Sequence, residues 1–117
     1  MNNSISYDQR YFLGKTNTAN GEVNSETVFH YRQKGDMIWG TYEGGFIRYG
    51  QIIGKIVEDN KIDFRYQHLN LEGEMMTGEG LCTPELLADG RLRLHESWKW
   101  TTGDGSSGNT VVEEVSR

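Results

Sequence analysis

Residues 89–100 read DGRLRLHESWKW, and this stretch decides the fold class. After the Asp89-Gly90 turn, apolar residues and one carboxylate alternate with cationic and polar residues. A side-chain period of two is that of a β-strand with one buried face. We therefore predict a strand whose inward face carries Leu92, Leu94, Glu96, Trp98 and Trp100.

Short alternating runs separated by turn residues fill the rest of the chain. Lys34-Gly35 and Gly44-Gly45 each interrupt such a run, where a tight hairpin needs positive φ. The runs predict eight strands, near residues 9–14, 26–33, 36–43, 46–57, 61–69, 74–83, 91–101 and 110–115. Because no helix pattern of useful length is present to cover an open sheet, closure into a barrel is the favoured way to remove both edges. We predict an all-β, eight-stranded antiparallel up-and-down barrel, with a β-sandwich as the alternative.

Composition bounds the class of protein. The 117 residues suit one domain, so we assign residues 1–117 to a single barrel with residues 1–8 as a flexible start. The 15 Gly, 6 Tyr, 4 Phe and 3 Trp fit short strands and tight turns, whereas disorder would need few aromatic residues. A net charge of -5 without a basic run argues against nucleic acid. The single Cys82 fits a reducing cytoplasm, and no apolar stretch has transmembrane length.

Turn geometry predicts which residues face inward on the other strands. In the fifth strand the inward face carries Ile62, Phe64, Tyr66 and His68. A two-residue turn at Asp89-Gly90 pairs Leu81 with Trp98. In the sixth strand this places Cys82 on the outer face, and the inward face carries Met75, Thr77, Glu79 and Leu81. In strands two to four we predict Trp39, His30 and Arg48 inside, and outside Phe29, Ile38, Tyr42, Ile47 and Tyr49. The opposite parity, which gives a more apolar core, stays open.

The predicted interior holds more polar groups than a plain core would. Buried carboxylates need paired charges, water or a ligand. An eight-stranded barrel has room for one small molecule, and a few polar groups among aromatic rings are typical of a ligand site. We predict a site for a small polar or aromatic molecule formed by Trp39, Arg48, Tyr66, His68, Glu79, Glu96, Trp98 and Trp100. A purely structural role for these residues is the alternative.

Two other functions stay open. One is an enzyme that uses Glu96 and His68 as an acid–base pair. The other is an assembly protein whose homodimer interface covers the outward patch of Phe29, Tyr42, Ile47 and Tyr49. We expect no cofactor and no catalytic nucleophile. We also expect no metal, because His30, His68 and Glu96 come from three strands without diagnostic spacing.

Several motifs together resemble a family of small bacterial proteins that often carry the automatic name N-acetylglutamate synthase. They are GEVNSETVFHY at 21–31, WGTY at 39–42, Gly44-Gly45, MTG at 76–78, Pro84-Glu85, DGR at 89–91 and LHESWKWTTGD at 94–104. The resemblance spans nearly the whole chain. The strand count is also similar to that of the avidin and lipocalin group of calycin barrels, although no biotin-binding residue can be matched by position.

The residues do not support the acetyltransferase activity that this automatic name implies. Such enzymes resemble a larger α/β fold with a Gln/Arg-x-x-Gly-x-Gly/Ala loop for the pyrophosphate of acetyl-CoA. Residues 51–56 read QIIGKI, which ends in Ile and has no following helix. Without a helix N-terminus, the backbone amides that bind pyrophosphate are missing.

Overall fold

The computed structural model describes residues 4–116, which form one sheet of eight strands. The strands are β1 (Arg10–Asn17), β2 (Val28–Lys34), β3 (Met37–Gly44), β4 (Ile47–Ile56), β5 (Ile62–Asn70), β6 (Met75–Leu86), β7 (Leu92–Trp100) and β8 (Ser107–Val115). A single 3-10 turn, Glu58–Asn60, lies between β4 and β5. Within the described range there is no helix long and apolar enough to cross a membrane.

Each strand pairs antiparallel with the next one along the chain, and β8 pairs with β1. The sheet is therefore a closed barrel in up-and-down order, as predicted, and not a sandwich. Closure gives every strand two neighbours, so no long edge is left to pair with another chain.

The inward faces of β5 and β7 are those that the sequence predicts. Along β7 the buried and the accessible residues alternate without a break from Leu92 to Trp100. On β5 the buried residues Ile62, Phe64 and His68 share one face with the half-buried Tyr66. Burial of this apolar face is the main stabilising contribution of each strand.

The predicted inward face of β6 is wrong by one residue. Leu87 donates its N–H to the Arg91 carbonyl at 2.8 Å, so the turn after β6 is longer than two residues. As a result Leu86 pairs with Leu92, and Gly80, not Leu81, pairs with Trp98. A one-residue slip exchanges the two faces of a strand. Cys82 is consequently buried, and the outer face carries Met75, Thr77, Glu79 and Leu81.

The predicted inward face of strands two to four is also wrong, and the alternative with the more apolar core is the one observed. The buried residues are Phe29, Tyr31, Ile38, Tyr42 and Ile47. Trp39 and Arg48 are exposed on the outer face, and His30 is half-buried there against Tyr11. Burying the larger apolar set gains more free energy, whereas an enclosed Arg48 would need a charged partner. Of the residues predicted outside, Tyr49 alone is exposed, because a bulge separates it from Ile47.

Glycines at inward positions make room for aromatic rings from neighbouring strands. Gly50 pairs with Tyr42, and a Cβ on it would lie 2.4 Å from the tyrosine Cζ. Gly78 pairs with Tyr66 in the same way, with a Cβ 2.1 Å from the tyrosine Oη. The rings thus lie flat across the strand next to their own, and they set how much of the interior stays open.

The two ends of the barrel differ. At one end Tyr7 is fully buried, and its backbone N–H donates to Gln33 Oε1 at 2.8 Å. Its hydroxyl donates to the Asn60 carbonyl. The predicted flexible start, residues 1–8, lies in part outside the described residues, but Tyr7 packs as a core residue. At the other end, residues 18–27 join β1 to β2; we call them the mouth loop.

Candidate ligand-binding site

A cavity lies inside the barrel beneath the mouth loop. Its lining combines aromatic rings with a few polar groups: Asn17, Gly21, Glu22, Val23, Phe29, Tyr42, Ile52, Phe64, Tyr66, His68, Glu96, Trp98, Trp100 and Thr110. The centre of a water-sized sphere can occupy about 40 Å³ of this space. That is enough for about three water molecules, so the cavity is small while the loop covers it.

Glu96 supplies a carboxyl group in the wall of this cavity. It lies on β7 between Leu94 and Trp98 and is only 7% exposed. The Tyr31 hydroxyl donates to its Oε2 at 3.3 Å, and within residues 4–116 no cation pairs with it. Burial therefore raises the pKa of Glu96 to about 7, and the Tyr31 hydrogen bond opposes only part of that shift. The carboxyl group is poised to change charge near neutral pH.

His68 connects the barrel wall to the mouth loop. Its Nδ1 lies 2.8 Å from the Tyr42 hydroxyl and its Nε2 lies 2.7 Å from Glu22 Oε1. A neutral imidazole satisfies both contacts when Tyr42 donates to Nδ1 and Nε2–H donates to the carboxylate. Burial lowers the pKa of His68, and the hydrogen bond to Glu22 opposes this shift. Asn70 Nδ2 also donates to Glu22, at 3.1 Å from Oε2.

Two tryptophans of β7 are connected to the mouth loop by hydrogen bonds. Trp98 Nε1 donates to Thr110 Oγ1 at 2.8 Å, and that hydroxyl donates to Asn17 Oδ1 at 2.5 Å. Asn17 Nδ2 then donates to the Val23 carbonyl of the loop at 2.8 Å. Trp100 Nε1 donates to the Asn20 carbonyl at 3.0 Å. The N–H groups of both rings are thus bonded within the protein, and both rings line the cavity.

The structure brings together five of the eight predicted site residues. Tyr66, His68, Glu96, Trp98 and Trp100 all line the cavity. The ring centroid of Trp100 lies 5.3 Å from that of Trp98, 5.7 Å from Tyr66 and 5.8 Å from His68.

The other three predicted residues lie outside the barrel, so their inward placement is wrong. Trp39 and Arg48 follow the corrected parity of β3 and β4. Glu79 follows the corrected register of β6, and its Oε1 lies 3.8 Å from Arg65 Nε on the outer face. A contact between these three residues and a molecule inside the lumen is ruled out by this geometry.

Sequence reasoning missed several residues of the site. Tyr42 was expected outside, and the opposite parity that stayed open would have placed it correctly. Glu22 lies in the GEVNSETVFHY run that carries the family resemblance, but a loop has no periodicity that predicts where its side chains point. Asn17 and Thr110 are single polar residues near strand ends, and no signal in the sequence marks them as neighbours.

The arrangement does not form an acid–base pair. The ring nitrogens of His68 contact Tyr42 and Glu22, while the hydrogen bond of Glu96 comes from Tyr31. The enzyme alternative needs Glu96 and His68 within hydrogen-bond reach of each other, and this is not their pairing. His30, the third residue considered for a metal, lies on the outer face and is 3.3 Å from Gln9 Oε1.

The fold is a closed up-and-down barrel with a cavity inside it, which is the architecture of small-ligand-binding barrels. The family described as Avidin-like protein matches residues 5–115, nearly the whole chain, and the chain belongs to that family. The predicted similarity to avidin-like and calycin-like barrels is thereby confirmed. None of the curated proteins searched matches the chain.

Proposed function

We propose that the protein binds a small molecule inside the barrel, beneath the mouth loop. The observation that carries the proposal is Glu96, a buried carboxyl group in the wall of a cavity otherwise lined mainly by aromatic rings. A plain hydrophobic core gains nothing from a carboxyl group, because burial of its charge costs free energy. A ligand that hydrogen-bonds to it offsets that cost, so the residue has a use in binding.

Aromatic faces supply the remaining contacts of the proposed site. Trp98, Trp100 and Tyr66 line the cavity, and the N–H groups of the two tryptophans are already bonded within the protein. Large rigid rings offer contact area at little cost in conformational entropy, which is why they dominate small-molecule sites. Membership of the avidin-like family agrees with a barrel used for ligand binding.

The size of the cavity implies that the mouth loop moves when a ligand enters. The covered space of about 40 Å³ admits only a few heavy atoms. Larger ligands need the loop to lift, which means breaking its contacts from Glu22 to His68 and from Asn20 to Trp100. The part of a ligand that lies deepest, next to Glu96, is therefore the part that the structure selects most strictly.

Native mass spectrometry of the purified protein tests the proposal. We expect a small molecule that co-purifies with the folded chain and is absent from the denatured mass. Trp98→Ala should lose it, because this substitution removes a ring from the cavity wall. Trp39→Ala is the matched control, since the same ring is removed from the outer face, and it should retain the molecule. A folded protein without any bound mass, whose melting temperature no compound of a metabolite panel raises, would contradict the proposal.

The predicted homodimer is a separate question. The patch expected to form it does not exist, because Phe29, Tyr42 and Ile47 are buried. One cluster of exposed apolar residues on the outer face is formed instead by Trp39 and its cross-strand partner Ile53, beside Met37. Sedimentation at two concentrations, with Ile53→Lys as the variant, decides whether these residues cover each other in a dimer. The cytoplasmic location predicted from the single cysteine also stays a prediction.

A further inference from the structure

We propose that the ligand of this cavity is a small organic cation with N–H donors, such as a guanidinium, amidinium or primary ammonium group, bound by Glu96 within a cage of aromatic rings. The inference rests on the proposed function and adds the chemical class of the ligand.

The first argument is the charge of the cavity lining. Two carboxyl groups line it, Glu96 in the wall and Glu22 at the mouth. Neither Lys nor Arg is among the lining residues in the described part of the chain. An anionic ligand would meet a like charge at each carboxylate that is ionised, in a medium of low dielectric constant. A ligand with a positive charge supplies the counter-charge that Glu96 lacks.

The second argument is the number of rings. Six aromatic side chains line the cavity, namely Phe29, Tyr42, Phe64, Tyr66, Trp98 and Trp100. The face of an aromatic ring carries partial negative charge and attracts a cation within about 6 Å of its centroid. Tryptophan is the ring that attracts a cation most strongly, and the N–H groups of Trp98 and Trp100 are already bonded to Thr110 and Asn20. Both rings line the cavity, so a cation bound there would lie beside them.

The third argument concerns hydrogen bonding. Glu96 Oε2 accepts one hydrogen bond, from Tyr31 at 3.3 Å, whereas a carboxylate can accept about four. A quaternary ammonium ion has no N–H to give it. Guanidinium, amidinium and primary ammonium groups each carry several N–H donors, and a planar guanidinium can bond both carboxylate oxygens at once. These groups also match the few heavy atoms that the covered cavity admits.

Binding of such a cation should weaken as the pH falls. Around Glu96 the other titratable groups are Tyr31 on β2, Tyr42 on β3, Tyr66 on β5 and Cys82 on β6. Burial raises the pKa of each, so they stay neutral around pH 7. The pKa of Glu96 is about 7, and a cation should favour its ionised form. Protonation of Glu96, and of His68 at lower pH, should therefore weaken binding.

Methylguanidinium and N-methylurea make a sharp pair of probes because they have the same shape and differ in charge. Both are titrated into the purified protein at millimolar concentrations, with acetate as an anionic probe, and the indole ¹H–¹⁵N signals are followed by NMR. Trp98 and Trp100 report the cavity, and Trp39 on the outer face is the internal reference. We expect methylguanidinium to move the signals of Trp98 and Trp100, with an affinity at least about tenfold above that of N-methylurea.

Two further comparisons test the role of Glu96. Affinity for methylguanidinium should fall on the order of tenfold or more from about pH 8 to about pH 5. Glu96→Gln should lose most of the affinity at the higher pH, leaving the weaker pH dependence of His68. The pH comparison uses the wild-type protein, so it holds even if the variant fails to fold.

The opposite results overturn the inference. N-methylurea or acetate binding as tightly as methylguanidinium would show that the cavity does not select a cation, while the proposed ligand site would stand. The same conclusion follows if Glu96→Gln folds and keeps the full affinity. If no probe moves the signals of Trp98 and Trp100, the cation is excluded, and the co-purification experiment decides separately whether the lumen binds anything.

Discussion

His68 Nε2 lies 2.7 Å from Glu22 Oε1, and this contact ties the mouth loop to the wall of the barrel. His68 is almost fully buried, whereas the Glu22 side chain is 23% exposed. The bond therefore lies at the boundary between the cavity and the solvent. Because the partners are 46 residues apart in the chain, the contact closes the loop only in the folded protein.

Removal of the Glu22 carboxylate should loosen the loop and weaken the fold slightly. In Glu22→Ala the buried Nε2–H of His68 loses its acceptor, which costs about 1–2 kcal/mol. The pKa of His68, already lowered by burial, should fall further, because the hydrogen bond to Glu22 raises it. Hydrogen exchange of residues 18–27 and an NMR titration of His68 measure the two effects.

Glu26→Ala is the control for this loop variant. Glu26 is exposed on the same loop, and its backbone N–H donates to Asn24 Oδ1, a bond that the substitution keeps. Exchange rates and a His68 pKa that change equally in the two variants would refute a specific role for Glu22.

Glu96 should make the stability of the protein depend on pH. Its pKa is raised from 4.5 to about 7 in the folded state, so the folded protein binds this proton more tightly than the unfolded chain. The resulting stability is fully present below about pH 4.5 and is lost as the pH rises to about 7. The shift corresponds to about 3 kcal/mol.

Urea unfolding of wild type and Glu96→Gln at a series of pH values measures this contribution. The difference in unfolding free energy should change in favour of the variant as the pH rises through that range. Glu26→Gln, at an exposed position, should follow the wild-type curve. Parallel curves for wild type and Glu96→Gln would mean that Glu96 titrates alike in the folded and unfolded chains.

Gly78 should tolerate no side chain. A Cβ there would lie 2.1 Å from Tyr66 Oη and 2.7 Å from the Lys99 carbonyl oxygen, and the backbone oxygen cannot move aside. We expect Gly78→Ala to destabilise the fold by about 2–3 kcal/mol through overpacking. Gly73→Ala serves for comparison, since it has a positive φ of 82° but nothing within 4 Å. It should cost only about 1 kcal/mol, and equal losses in thermal unfolding would argue against the clash.

Thr110 should matter through its hydroxyl rather than its size. Thr110→Val keeps the shape but leaves Trp98 Nε1 without its acceptor and Asn17 Oδ1 without its donor. Two unsatisfied polar groups should cost about 2–3 kcal/mol in unfolding free energy. Thr110→Ser should restore most of the loss, and Thr41→Val on the outer face of β3 should cost little. A Thr110→Val variant as stable as wild type would show that the network contributes nothing.

The sequence predicts the barrel and the faces of β5 and β7 because those strands alternate without interruption. It fails on β6 because register there depends on a turn, and the bond from Leu87 to Arg91 adds one residue to the expected loop. A single extra residue exchanges both faces, which moved Cys82 inside and Glu79 outside. Local pattern gives the strand, but turn geometry gives its register.

Strands two to four show a different limit. Both of their faces carry large apolar residues, so alternation alone does not say which face is buried. The bulge between Ile47 and Tyr49 further breaks the period of two on β4. Which face is buried depends on the total apolar area that each alternative removes from water. That area is larger when Phe29, Tyr42 and Ile47 are buried than when Trp39 is.

For the same reasons, the sequence predicts the site residues that lie on β5 and β7 but not those that lie in the mouth loop. Tyr66, His68, Glu96, Trp98 and Trp100 come from the two strands with reliable faces. Glu22 comes from a loop, and its partner His68 is distant in the chain. Such a contact depends on closure of the whole barrel, which no local pattern encodes.

The pairing of inward glycines with aromatic rings has a practical consequence for protein engineering. Tyr66 lies across Gly78 and Tyr42 across Gly50, so each ring occupies volume that the neighbouring strand has left free. Trimming a ring should enlarge the chamber, because the hydrogen bonds of the ladder are made by the backbone and not by these side chains. The volume of the cavity can thus be adjusted by single substitutions while the backbone is kept. This makes the barrel a scaffold for binding proteins of new selectivity.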